Sequence, residues 1–102
     1  MGIVQTAKNF ERLESLDAVW IQVGAFMELY GESAIEVNMA FGLAIWHRQG
    51  TPTVGVPVSH AEKWAHRTAS LGLNTGIVLQ VTSGSKAPRE LTLVIPGTRQ
   101  NI

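Results

Sequence analysis

Short runs of β-branched and aromatic residues alternate with stretches of helical spacing along the whole chain, so sheet and helices must share one core. Ala18 to Val23 (Ala-Val-Trp-Ile-Gln-Val) reads as a strand. Gly24-Ala25 turns the chain and Phe26 to Tyr30 returns as a second strand, the glycine supplying the freedom that a two-residue hairpin needs. Upstream, Asn9 or Ala7 opens a short helix with Phe10, Leu13 and Leu16 on one side. Downstream, Ser33-Ala34-Ile35-Glu36 has capping-box spacing, which starts a helix that Gly42 stops. Leu43 to Arg48 and Thr53 to Val56 are strands separated by Gly50-Thr51-Pro52, and Pro57 ends the second. Ser59-His60-Ala61-Glu62 is another capping box; Ala61, Trp64, Ala65, Thr68 and Leu71 keep helical spacing as far as Gly72. Thr75 to Val81 and Glu90 to Ile95 complete the strands, joined by the turn-rich stretch Thr82 to Arg89. The expected fold is α/β: a mixed β-sheet of about six strands with about three helices packed against it. At ~150 residues per domain, the 102 residues form a single domain, residues 1–102.

Composition narrows the function classes. Hydrophobic residues make up 45% and charged residues 16%, the reverse of a disordered chain. The absence of cysteine excludes a disulfide framework, a thiolate zinc site and a cysteine nucleophile, and fits a cytoplasmic location. No apolar run approaches the ~20 residues that cross a bilayer, and Met-Gly-Ile-Val-Gln-Thr lacks the basic and apolar regions of a signal peptide. Eight Lys and Arg balance eight Asp and Glu, so little general attraction to phosphate is expected.

Common catalytic sets are missing. Zinc deaminases need cysteines, Gly84-Ser85-Lys86 is no P-loop, and no G-x-S-x-G elbow occurs. His60 and His66 lie six apart on one helix and point away from each other, and His47 sits on a strand, so no metal and no cofactor is expected. Asp17, Glu28 and Glu36 fall on different elements, which argues against a nuclease. The turn Gly24-Ala25-Phe26-Met27-Glu28 carries more information. Alternation puts Phe26 and Glu28 on one face, an aromatic ring and an acceptor that suit a nucleobase. Taken alone, the pair reads at least as well as a core phenylalanine with a surface glutamate. Trp20, Trp46 and Trp64 read as core or interface anchors.

From Phe10 to Thr98 the chain resembles the N-terminal, mismatch-recognition domain (domain I) of the MutS family. Ala18 to Tyr30 is similar to the family's apolar strand followed by its G-D-F-Y-E-L-F segment, and Glu32-Ser33-Ala34 to its acidic-x-Ala helix opening. Val54-Gly55-Val56-Pro57-Val58-Ser59-His60-Ala61-Glu62 is similar to its G-[IV]-P-x-H-A-x-E segment with one residue inserted. Gly72, Gly76 to Gln80, and Val94-Ile95-Pro96-Gly97-Thr98 resemble its glycine, its strand ending in Gln and its V-T-P-G-T close. Three positions depart from the pattern: Ala25 for the family's Asp, Met27 for its aromatic, and Gln22 for a frequent basic residue.

The resemblance implies a non-enzymatic domain that contacts mismatched or distorted duplex DNA. Phe26 would wedge into the minor groove and stack on the mispaired base, and Glu28 would hydrogen-bond it. The family's ATPase, lever and clamp domains have no counterpart in the sequence, so the expectation is a stand-alone domain. Backbone contacts would fall to Lys63, Arg67, Lys86, Arg89 and Arg99. If two to four of them reach phosphates, the salt slope is roughly −2 to −4 and a lone monomer binds weakly. The alternative is a protein-interaction or oligomerising module that keeps the fold and has lost DNA binding. In either case a homo-oligomer or a protein partner would supply the missing contacts, and no membrane is involved.

Overall fold

A computed structural model of the protein describes residues 2–82 and 88–98. Ten elements follow in order: α1 (Ile3–Leu13), β1 (Ala18–Val23), β2 (Phe26–Tyr30), α2 (Glu32–Phe41), β3 (Trp46–Arg48), β4 (Thr51–Pro57), a 3-10 turn (Val58–His60), α3 (Ala61–Ala69), β5 (Thr75–Gln80) and β6 (Arg89–Ile95). The six strands form one sheet in the order β3-β4-β2-β1-β5-β6. Only β1 and β5 run parallel; the other neighbours are antiparallel. The mixed α/β sheet expected from the sequence is what forms.

The helices cover both faces. Ala34 and Val37 of α2, with Ala61, Trp64 and Ala65 of α3, pack with Trp20, Met27, Leu29 and Val54. On the other face Ala7 of α1, backed by Ile3, Val4 and Phe10, packs with Val19, Ile21, Tyr30 and Val78. Strand alternation separates the two sets, so each sheet face buries its own apolar row. The α2/α3 face carries one buried polar link. Trp20 Nε1 donates to Thr68 Oγ1 at 2.9 Å, and that hydroxyl donates to Trp64 O at 2.7 Å. Thr68→Val removes the acceptor and strands a buried indole N–H, so a loss of about 1–3 kcal/mol is expected in urea unfolding.

Helix starts differ from the sequence reading. Helix α1 begins at Ile3, not near Asn9, and ends before Leu16. It has no side-chain cap, and the packing of Ile3, Val4 and Phe10 holds its first turns in place. Neither capping box caps. Gly31, at φ 82°, turns β2 straight into α2, which leaves Ser33 inside the helix, where its hydroxyl donates to Tyr30 O. Ser59 lies in the 3-10 turn ahead of α3. Strand β3 keeps only three of the expected six residues, and Leu43 packs sideways on the core instead. Gly42 ends α2 in the left-handed conformation, as expected. Pro96-Gly97-Thr98 closes onto the end of α3: Thr98 N–H donates to Ala69 O, and a Cβ at Gly97 would lie 2.5 Å from the Gly72 carbonyl carbon. Among the described residues no helix is long and apolar enough to cross a membrane.

Candidate nucleic-acid interface

The β1–β2 hairpin closes with Val23 opposite Phe26, so Gly24-Ala25 is a two-residue loop. Gly24 sits at φ 62° and Ala25 stays outside the left-handed region, the pattern of a type II′ turn with glycine first. The loop is tied down. Gln22 Nε2 donates to Gly24 O at 3.0 Å, and Gly24 N–H donates to Gln80 Oε1 at 3.2 Å. Gln80 N–H donates to Gln22 Oε1 at 2.8 Å, and Val58 N–H donates to Ala25 O at 3.0 Å. Gln22 therefore serves as a staple within the turn. Arg89 joins it by donating from Nε to Gln22 O at 3.0 Å.

Phe26 and Glu28 share a sheet face with Tyr30, as alternation requires, but their surroundings are opposite. Phe26 stands at the hairpin tip with 54% of its surface exposed, while Glu28 is 4% exposed. The common arrangement, ring inside and carboxylate outside, is inverted here. Glu28 does not stand free beside the ring. Arg48 grips it from β3, with Nε donating to Oε1 at 2.7 Å and Nη2 to Oε2 at 2.9 Å. Tyr30 Oη donates to Oε1 at 2.7 Å. Glu28 pairs across β4 with Gly55, whose missing side chain leaves room above the strand.

The network sets the Tyr30 phenol. Burial first, and then its bond to the Glu28 carboxylate, push its pKa well above the ordinary tyrosine range. The folded chain thus keeps a proton that the unfolded chain releases above about pH 10. Stability from this group is intact below that pH and falls by about 1.4 kcal/mol per pH unit above it. Urea unfolding at about pH 9 and about pH 11 should show the drop, and Tyr30→Phe should remove it.

The other expected contacts separate. Arg89 lies next to the hairpin. Lys63 and Arg67 are exposed on α3, which packs on the sheet face opposite Phe26, and the Arg67 guanidinium stacks 4.6 Å from the Trp64 ring centroid. Lys86 and Arg99 lie outside the described residues, as do residues 83–87 of the expected loop. Among the described residues no cluster of three or more His, Asp or Glu is placed for a metal ion. Sequence reasoning missed Arg48 and the exposure of Trp46. Trp20 and Trp64 are core residues, whereas Trp46 is 40% exposed on β3 with Arg48 stacked 5.0 Å from its centroid.

The family model for MutS domain I matches residues 8–101. The chain belongs to the MutS domain I family. Curated relatives agree. The DNA mismatch repair protein MutS of Thermus aquaticus is 35% identical over 86 residues, which is 76% of this chain and 11% of that protein. MutS of Treponema pallidum (strain Nichols) is 33% identical over 94 residues, 85% of this chain and 10% of that protein. MutS of Borreliella burgdorferi (strain ZS7) is 33% identical over 86 residues, 79% of this chain and 10% of that protein. The chain thus spans about a tenth of the length of these relatives. MutS membership makes sense of the Gly72 and Pro96-Gly97-Thr98 signatures, which form one close backbone contact at the end of α3.

Proposed function

We propose that this domain is a non-enzymatic reader of mismatched or distorted duplex DNA, with Phe26 as its wedge. The supporting observation is the large apolar ring left 54% exposed beside a turn that three hydrogen bonds hold in place. A rigid protruding ring can enter a base step without first being ordered, so less of its stacking energy is spent on its own immobilisation. Selectivity comes from the DNA: a mispaired step unstacks and kinks at lower cost than a paired one. Glu28 supplies the acceptor in this reading, turning an oxygen from Tyr30 or Arg48 to a base N–H as the ring enters. Arg89, tied to the Gln22 carbonyl beside the turn, contacts phosphate. Lys86 and Arg99 supply any further backbone contacts, while Lys63 and Arg67 lie on α3, across the sheet from Phe26. The reading places the domain's work in the cytoplasm and assigns it no catalytic step.

Fluorescence anisotropy with a mismatched and a matched duplex, at low and moderate salt, tests the proposal. The expected result is weak binding that favours the mismatched duplex, with a salt slope of roughly −2 to −4. Equal affinity for the two duplexes would overturn it.

A second reading, a module that docks on protein, draws on helix α2. Met39 is 79% exposed, and Ile35 and Phe41 are also open to solvent. Exposed apolar clusters mark interaction surfaces. Light scattering over a range of concentrations tests self-association, and a strict monomer removes the oligomer form of this reading.

A further inference from the structure

The side chains on the Phe26 face of β2, β4 and β3 include two exposed aromatic rings, not one. Antiparallel partners share a face, and the register runs Tyr30 to Thr53 to Trp46, with Arg48 two residues beyond Trp46. Helix α1 packs with Val19, Ile21, Tyr30 and Val78 of the same face, and its N-cap Gly2 meets Gln49 in the β3–β4 turn, which leaves part of β3 uncovered. There the Trp46 indole is 40% exposed, and the Arg48 side chain lies over it with 35% of its own surface exposed.

We propose that the Trp46–Arg48 pair is a second DNA contact, in which the duplex sugar–phosphate backbone seats on the indole and the outer edge of the guanidinium. The proposal rests on the reading of Phe26 as a wedge and extends its interface across the sheet. Arg48 is prepared for this. Two of its N–H groups are fixed on the Glu28 carboxylate at 2.7 and 2.9 Å, which orients the plane of the fork. A guanidinium carries five N–H groups, so its outer edge keeps donors for a phosphate oxygen. Because Glu28 balances the charge, the contact sets register and orientation more than raw affinity, which is the usual part of phosphate contacts. The indole adds apolar area against the sugar edge without another charge. A duplex kinked by Phe26 bends its flanking backbone toward the protein, and a face with contacts at two separate points can hold that bend.

The three tryptophans make the test direct. Trp20 is fully buried and Trp64 nearly so, which leaves Trp46 as the indole a small quencher reaches. Acrylamide quenching of the whole domain is measured with and without saturating mismatched duplex, beside anisotropy with Trp46→Ala, Trp46→Phe and Phe26→Ala. The expected result is loss of the accessible emission on DNA binding, a fall in affinity of at least about threefold for Trp46→Ala, and partial recovery for Trp46→Phe. Circular dichroism confirms that the variants fold. Phe26-dependent binding with unchanged quenching, and Trp46→Ala binding as tightly as the parent, overturn this contact alone. Unchanged affinity in Phe26→Ala overturns the wedge and this contact with it. Protection of Trp46 at rising protein concentration without DNA assigns the face to a second copy of the chain, which also overturns the contact.

Discussion

Arg48→Met is expected to destabilise the domain by about 3–5 kcal/mol, the range for breaking a buried ion pair by removing one partner. The Glu28 carboxylate is 4% exposed and owes both charge-assisted bonds to Arg48. Without the guanidinium it keeps only the Tyr30 hydroxyl. Neither Met nor Gly55, its neighbour on β4, offers a donor side chain. A domain of this size holds roughly 5–15 kcal/mol in all, so the variant loses a large share, and its Tm falls by ~12 °C or more. The reverse deletion is milder. Glu28→Ala leaves a guanidinium whose side chain is already 35% exposed and can turn to water, so about 1–3 kcal/mol is expected. Urea unfolding of both variants checks the asymmetry. A loss below about 1 kcal/mol for Arg48→Met would mean that water reaches the carboxylate and that the network holds little of the sheet together.

The same network marks the boundary of what the sequence discloses. The limits of β1 and β2 are legible to the residue, because Gly24-Ala25 can close only a tight turn and alternation follows on both sides. The end of α2 is legible because Gly42 takes a backbone conformation that other residues resist. The start of α1 is not. Ile3, Val4 and Thr6 are β-branched and poor helix formers, and their helix is held by contact with strands distant in sequence. The two capping boxes mislead because Gly31 and the 3-10 turn at Val58–His60 set the helix entries before a serine can cap. At the candidate site, alternation correctly puts Phe26 and Glu28 on one face. Which of them is buried depends on Arg48, twenty residues away and two strands across, and no local pattern reports that pairing. Trp46 follows the same rule: its strand pattern is ordinary, and its exposure is set by which distant neighbours the fold brings over β3.

Phe26→Ala should weaken binding to a mismatched duplex by about 5- to 150-fold, the equivalent of the ~1–3 kcal/mol that one aromatic gains by stacking on a base. The fold should hardly notice. The ring is more than half exposed, and the turn beneath it is held by Gln22, Gln80 and Val58, so stability should change by no more than about 0.5 kcal/mol. The matched duplex should lose far less, because its paired step resists opening and gives the ring little to stack on, and the mismatch preference therefore shrinks toward one. The salt slope provides a separate check. A phenyl ring releases no counterions, so the plots of log affinity against log salt for parent and variant should run parallel, displaced by the lost stacking alone. A change of slope instead would mean that the substitution moved Arg89 or the turn it is tied to, and that the ring had been acting on the backbone contacts and not on the base.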